Sequence, residues 1–106
     1  MQFRGGMNEL MRQAARLQRK IEDKKKELAD KEVVATAVGD KVKATVTYGK
    51  KLTRIEVDPE FLKAEGFDLA MDGVCTAVNS AYEQADKAME AELEKVTGGV
   101  KIPGMV

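Results

Sequence analysis

Val42-Lys43-Ala44-Thr45-Val46-Thr47-Tyr48, near the middle of the chain, alternates residue by residue between apolar and polar side chains. That period of two marks a half-buried strand, because successive side chains of an extended chain point to opposite faces. Upstream, Glu32–Val38 alternates more weakly, and Gly39-Asp40 between the two runs suits a two-residue hairpin turn. Downstream, Gly49-Lys50-Lys51 turns the chain into a third run, Leu52–Val57. Together the runs predict a three-stranded antiparallel meander over residues 32–57.

On either side the period changes. Met7, Leu10, Ala14, Leu17, Ile21, Lys24 and Leu28 recur at steps of three and four, a heptad seam broken only by Lys24. This predicts a helix over 8–30, preceded by Gly5-Gly6 and capped by Asn8. At about 1.5 Å per residue it would be some 33 Å long, too long to lie on a domain this small. It should project, or pair with a copy of itself. After the sheet, Asp58-Pro59 stops the strand and starts a helical turn, with Asp as N-cap and Pro in the first helical position. A second long helix follows over 68–96, its apolar line running through Leu69, Val74, Val78, Ala81, Ala85, Met89, Leu93 and Val96. Gly98-Gly99 ends it, and residues 97–106 read as a tail. The expected fold is α+β, a single domain over 1–106: long N-terminal helix, antiparallel meander, long C-terminal helix.

The chain has 106 residues, 43% of them hydrophobic, which is globular rather than disordered. Its core inventory is thin, with no Trp, two Tyr and three Phe, so a second subunit is expected to cover the remaining apolar stripe. One cysteine excludes an internal disulfide framework. No apolar run approaches the roughly 18 residues of a membrane span. No signal-peptide pattern is visible either, and the expectation is a soluble, cytoplasmic protein.

Formal net charge is zero, but the charges are segregated. Residues 1–31 carry nine Lys and Arg against five Asp and Glu, and residues 32–55 carry five against two. Residues 56–97 reverse this with three against eleven. Such asymmetry points to a charged partner in a way the total does not.

The residue types of common catalysis are missing. There is no histidine, hence neither the usual neutral-pH base nor the commonest transition-metal ligand. One Cys cannot make a zinc site, and no nucleophile elbow or phosphate-cradling Gly-rich loop occurs. Asp86, Glu90 and Glu94 stand at i, i+4 spacing and read as a solvated acidic face, with Glu83 and Lys87 an ordinary ion pair beside it. Cys75, within an apolar stretch, is expected to be a small buried residue. No catalytic residue, metal or cofactor is expected.

The informative feature is cationic. Arg12, Arg16, Lys20 and Lys24 stand at successive i, i+4 positions, with Arg19, Lys25 and Lys26 nearby. Three like-charge neighbour pairs cost an isolated helix roughly 0.6–1.5 kcal/mol in all. Glu22–Lys26 and Glu27–Lys31 are favourably spaced to relieve part of it. An anion would remove the rest. Two are available: a nucleic-acid backbone, whose neutralised phosphates release counterions, or the chain's own acidic second helix folded alongside. The helix lacks a recognition pattern for base edges and no aromatic platform for single strands is evident. Contacts to DNA would therefore fall mainly on phosphates.

Several segments together resemble the YbaB/EbfC family of bacterial nucleoid-associated proteins. They are Gly5-Gly6-Met7-Asn8-Glu9-Leu10-Met11-Arg12-Gln13-Ala14, Lys43-Ala44-Thr45-Val46-Thr47-Tyr48-Gly49 and Ile55-Glu56-Val57-Asp58-Pro59-Glu60-Phe61-Leu62. Ala77-Val78-Asn79-Ser80-Ala81 and Thr97-Gly98-Gly99-Val100-Lys101-Ile102-Pro103-Gly104 complete the match. Tyr48 departs from it where Asn is common, and Gly73 and Ser80 where acidic residues are. The resemblance implies a tweezer-like homodimer with sheets joined at the centre, a DNA-binding role in the nucleoid and in gene regulation, and no catalysis. Double-stranded DNA and a second copy are the expected partners. The expected DNA-binding set is Arg4, Arg12, Arg16, Arg19, Lys20, Lys24, Lys25, Lys26, Lys50 and Lys51. The competing expectation is a protein-interaction or chaperone-like dimer whose helical arms clasp a partner, a layout shared with prefoldin-like subunits.

Overall fold

The alternation around Val42 becomes the central strand of a three-stranded antiparallel sheet, ordered β1-β2-β3. In the computed structural model, which describes residues 3–98 and side chains from residue 6 onward, α1 spans Phe3–Leu28, β1 Glu32–Ala37 and β2 Val42–Thr47. Then come β3 (Leu52–Val57), α2 (Pro59–Glu65) and α3 (Phe67–Thr97). The expected tail beyond Gly98 lies outside the described residues, as does the side chain of Arg4.

Both turns follow from local chemistry. In the first, the Lys41 amide donates to the Val38 carbonyl at 3.1 Å. Its central residues, Gly39 and Asp40, have φ of 58° and 69°, the double left-handed geometry that matches the twist of a hairpin. Val38 is also left-handed, at φ 55°, which is strained for a β-branched residue. In the second turn, Lys50 (φ 68°) occupies the left-handed position after Tyr48-Gly49. There its amide donates to the Thr47 carbonyl at 2.9 Å.

Register places Val33, Ala35 and Ala37 of β1 beside Val46, Ala44 and Val42 of β2, all on one face. α3 lies on that face. Ala77, Ala81 and Ala85 form the core with Ala35, Val42, Ala44 and Val46. The buried stripe of α3 takes in Ala81, Ala85 and Leu93 of the line expected from sequence, but in its N-terminal half it passes through the small residues Ala70, Gly73 and Ala77, beside the expected Leu69, Val74 and Val78. Val74 and Val78 flank it half-buried, and Leu69 is exposed. The reason is close approach: a Cβ on Gly73 would lie 3.1 Å from Cγ2 of both Val38 and Val42. Cys75, expected to be buried, is exposed, because the sheet-facing stripe passes through Gly73 and Ala77 and leaves position 75 on another side.

α3 covers β1 and β2 and barely touches β3, so Leu52 and Ile55 stay open on the helix-bearing side. Asp58 caps α2 as expected, its Oδ1 accepting from the Glu60 amide at 2.9 Å, with Pro59 next. α1 begins at Phe3 rather than at residue 8 and runs through Gly5-Gly6. Glycine weakens a helix by about 1 kcal/mol but, unlike proline, does not break it, so Asn8 is an interior residue and not a cap.

The molecule measures 75 × 20 × 17 Å with a radius of gyration of 20.1 Å, against about 13 Å for a compact chain of this length. The length comes from an arm. α1 runs towards the sheet, and the last third of α3 runs away from it alongside α1. Ile21 and Leu28 of α1 and Leu93 of α3 are buried in the arm.

Candidate nucleic-acid interface

At roughly 100° per residue, Arg12, Arg19 and Lys26 fall within about 40° of one another, with Arg16 beside them. Ile21 and Leu28, buried against α3, lie on the opposite side. The arm's apolar seam therefore turns this cationic row outward, and all four residues are exposed. From Arg12 to Lys26 the row covers about 21 Å, the rise of some six base pairs at about 3.4 Å each. Lys20 sits at the edge of the row. Lys24 and Lys25 are set round towards the flanks and are half-buried.

The acidic partners within α1 differ from those expected. Arg12 Nη1 meets Glu9 Oε2 at 3.4 Å, and Lys24 Nζ meets Glu27 Oε1 at 3.6 Å; both pairs use i, i+3 spacing. Glu27–Lys31 cannot form along the helix, since α1 ends at Leu28, and the Lys31 ammonium stands 5.9 Å from the centre of the Tyr48 ring. Lys26 does not pair with Glu22. Among the described residues Arg16, Arg19, Lys20 and Lys26 have no ion-pair partner. The acidic second helix leaves this row unneutralised, although it does run alongside.

Where α3 acids do act is at the arm's base. The β2–β3 turn is fixed to the end of α1 by the Gly49 amide, which donates to the Ala29 carbonyl at 3.0 Å, and by Tyr48, whose amide donates to Lys31 at 2.8 Å. A Cβ on Gly49 would come 3.1 Å from the Ala29 oxygen, so any side chain there would crowd the contact. This brings Lys50 and Lys51, both exposed, to the basic end of α1. Lys50 Nζ then reaches Asp86 Oδ1 of α3 at 2.7 Å. A cleft of about 650 Å³ opens there, lined among others by Lys25, Lys26, Lys50, Asp86 and Glu90. Sequence reasoning missed this meeting, because residues 36 positions apart carry no local signal of contact. Glu83–Lys87 does form, at 3.8 Å. At the far end of the sheet, away from the arm, stands Asp58, the cap of α2. Asp58 is held below the usual carboxylate range, chiefly by the hydrogen bond from the Glu60 amide and also by Lys41.

With that geometry in view, the profile of the YbaB/EbfC DNA-binding family matches residues 3–100. The chain belongs to that family. Among its relatives, a nucleoid-associated protein of Clostridium acetobutylicum is 38% identical over 101 residues, covering 95% of this chain and 90% of its own. Another, from Clostridium kluyveri, is 40% identical over 101 residues, covering 95% and 89%. A third, from Thermoanaerobacter pseudethanolicus, is 37% identical over 105 residues, covering 97% and 95%. The fold is shared with an uncharacterized protein from Helicobacter pylori whose crystal structure aligns with a TM-score of 0.67, covering 84% of this chain and 94% of that one at 12% identity.

The arm has a second exposed feature. Residues 6–16 are exposed without interruption, including Met7 (57%), Leu10 (62%) and Met11 (65%). The apolar seam expected along α1 is thus covered by α3 only in its C-terminal half. No helix among the described residues is long and apolar enough to cross a membrane.

Proposed function

We propose that the protein binds duplex DNA with low sequence specificity, as a homodimer in the nucleoid, and through that binding affects nucleoid organisation and gene expression. The observation that carries this reading is the outward row Arg12, Arg16, Arg19 and Lys26, held away from the chain's own carboxylates apart from the exposed Glu9–Arg12 contact. Lys20, Lys24, Lys25, Lys50 and Lys51 extend it towards the arm's base, and Arg4 belongs to the proposed set from its place in the sequence. Arg and Lys side chains along one helix face can contact phosphates whatever the base sequence, which supports binding of low specificity. The role is one of binding, without catalysis. The open Leu52 and Ile55 of β3 and the bare seam of α1 support a dimer, since a second copy can cover surface that one chain cannot.

Purified protein titrated with unrelated duplexes over a salt series tests the reading. Retardation of all of them, with affinity falling steeply as salt rises, is the expected result. Absence of binding at physiological salt would reject it. Sedimentation equilibrium tests the dimer, which a concentration-independent monomer mass would refute.

The exposed Met7, Leu10 and Met11 also favour a second reading, an arm that clasps a protein partner. Binding of ordinary duplexes counts against it as the main function.

A further inference from the structure

We infer that the Lys50–Asp86 ion pair is a built-in brake on nucleic-acid binding: Asp86 occupies, as a phosphate would, a lysine that the β2–β3 turn presents to the cleft at the arm's base. The inference rests on the DNA-binding reading above and adds to it a regulatory contact within the site.

Three observations meet here. The first is placement. Lys50 is not on a free loop, because the Gly49 and Tyr48 amides tie its turn to the end of α1 and its own φ of 68° sets the direction of the turn. Second, the cleft is continuous with the outward row. Lys26 belongs to that row and also lines the cleft beside Lys25 and Lys50, so a backbone following the row arrives at Lys50. The third is the competitor: Asp86 Oδ1 lies 2.7 Å from the Lys50 ammonium, with Glu90 one turn further along the same lining. Both partners are more than half exposed, at 59% and 54%. Solvent and a phosphate oxygen reach the pair without any change of fold.

A carboxylate and a phosphodiester each carry one negative charge, so they compete at Lys50: Asp86, 2.7 Å from the ammonium, already neutralises its charge and repels a phosphate brought to the same lysine, even though the ammonium has three hydrogens to donate. Duplex binding at this point therefore replaces one contact with another, and the gain from Lys50 is reduced by the contact it gives up. Removing the carboxylate leaves the lysine available from the start. The acidity of α3 makes no ion pair with Arg12, Arg16, Arg19 or Lys26 among the described residues, and it does act at Lys50.

The experiment uses the full chain and a fluorescein-labelled 30-base-pair duplex, read by anisotropy over a salt series. Asp86→Asn is compared with wild type, with Lys50→Met, and with the double variant. Asp86→Asn is expected to bind about two- to fivefold more tightly, the size of an exposed ion pair, and to steepen the log–log salt slope by up to about 0.9. In the Lys50→Met background the same change is expected to give no gain. Glu83→Gln, which removes a carboxylate one turn earlier that pairs with Lys87, reports the general effect of lost negative charge. A gain from Asp86→Asn no larger than that of Glu83→Gln, or one that persists without Lys50, overturns the brake while leaving DNA binding in place. Failure of the wild type to bind any duplex overturns the DNA reading itself. Circular-dichroism melts confirm that each variant is folded, and Lys50→Met keeps the backbone conformation of a non-glycine residue.

Discussion

Replacing Arg12, Arg16 and Arg19 together with Ala should flatten the salt dependence of DNA binding by an amount the structure bounds. Arg16 and Arg19 have no ion-pair partner among the described residues, and Arg12 has only Glu9 at 3.4 Å across solvent. All three are therefore available to phosphates. Each neutralised phosphate contributes about 0.9 to the slope of log affinity against log salt, so the triple variant loses up to roughly 2.7. Between 50 and 200 mM salt, a fourfold change, wild type would then lose about 40-fold more affinity than the variant. The assay is fluorescence anisotropy at four or more salt concentrations, with circular dichroism to show that the helix is retained. Lys63→Ala, on α2 at the end of the sheet away from the arm, serves as the charge control and should leave the slope nearly unchanged. A triple variant with the wild-type slope would refute the placement of the interface on α1, whatever its absolute affinity.

Other outcomes follow from packing and backbone geometry. Val38→Asn should raise the melting temperature, because Val38 is left-handed and partly exposed. Relief of about 0.5–1 kcal/mol is expected, a rise of some 2–8 °C, and a fall would show that its contacts outweigh the strain. Gly73→Leu gains helix propensity yet places a side chain where even a Cβ meets two valine methyls at 3.1 Å, one of them on the fully buried Val42. It should destabilise by about 1–3 kcal/mol in urea unfolding, and an unchanged midpoint would argue against the close helix–sheet approach. Asp58→Ala should lower the melting temperature at neutral pH. The Asp58 pKa is lowered in the fold, so its contribution is complete above the ordinary carboxylate value of about 3.9 and is lost as pH falls below it. The difference between variant and wild type should therefore shrink as pH falls, and one that stays constant into acid would contradict the capping role.

Much of the fold could be read from the chain because its signals are local. Alternation at Val42–Tyr48, paired turn residues at Gly39-Asp40 and the Asp58-Pro59 start of α2 each specify their own geometry within a few residues. What escaped the sequence depends on distant contacts. The buried stripe of α3 follows Ala70, Gly73, Ala77, Ala81 and Ala85, small residues whose value lies in letting the helix approach the sheet. A scale of hydrophobicity ranks Ala70, Gly73 and Ala77 below Leu69, Val74 and Val78, and so turns the N-terminal half of the line by about one residue's rotation, while Ala81, Ala85 and Leu93 were legible and are buried. Cys75 was misplaced by the same rotation. The cationic ladder was visible, but its i, i+4 spacing mixed two sets. Arg12, Arg16 and Arg19 point outward, whereas Lys24 is turned to the flank and held by Glu27.

The arrangement of charge explains how a chain of zero net charge can still present a cationic surface. Had the acidic α3 packed its carboxylates against the α1 cations, the two halves would have cancelled at close range. Instead the arm is joined through Ile21, Leu28 and Leu93, which are apolar, and the row from Arg12 to Lys26 is directed away from that seam. At about 0.15 M salt the screening length is about 8 Å, shorter than the roughly 10–12 Å width of a helix with its side chains. Carboxylates on the far side of the arm are thus largely screened from a phosphate lying on the outer face. Lowering the salt lengthens this range to about 30 Å at 0.01 M, where the acids on α3 begin to oppose the approach of DNA. The log–log plot should accordingly bend towards weaker dependence at the lowest salt, and neutralising Glu92 and Glu94 should straighten it there while leaving it unchanged near physiological salt.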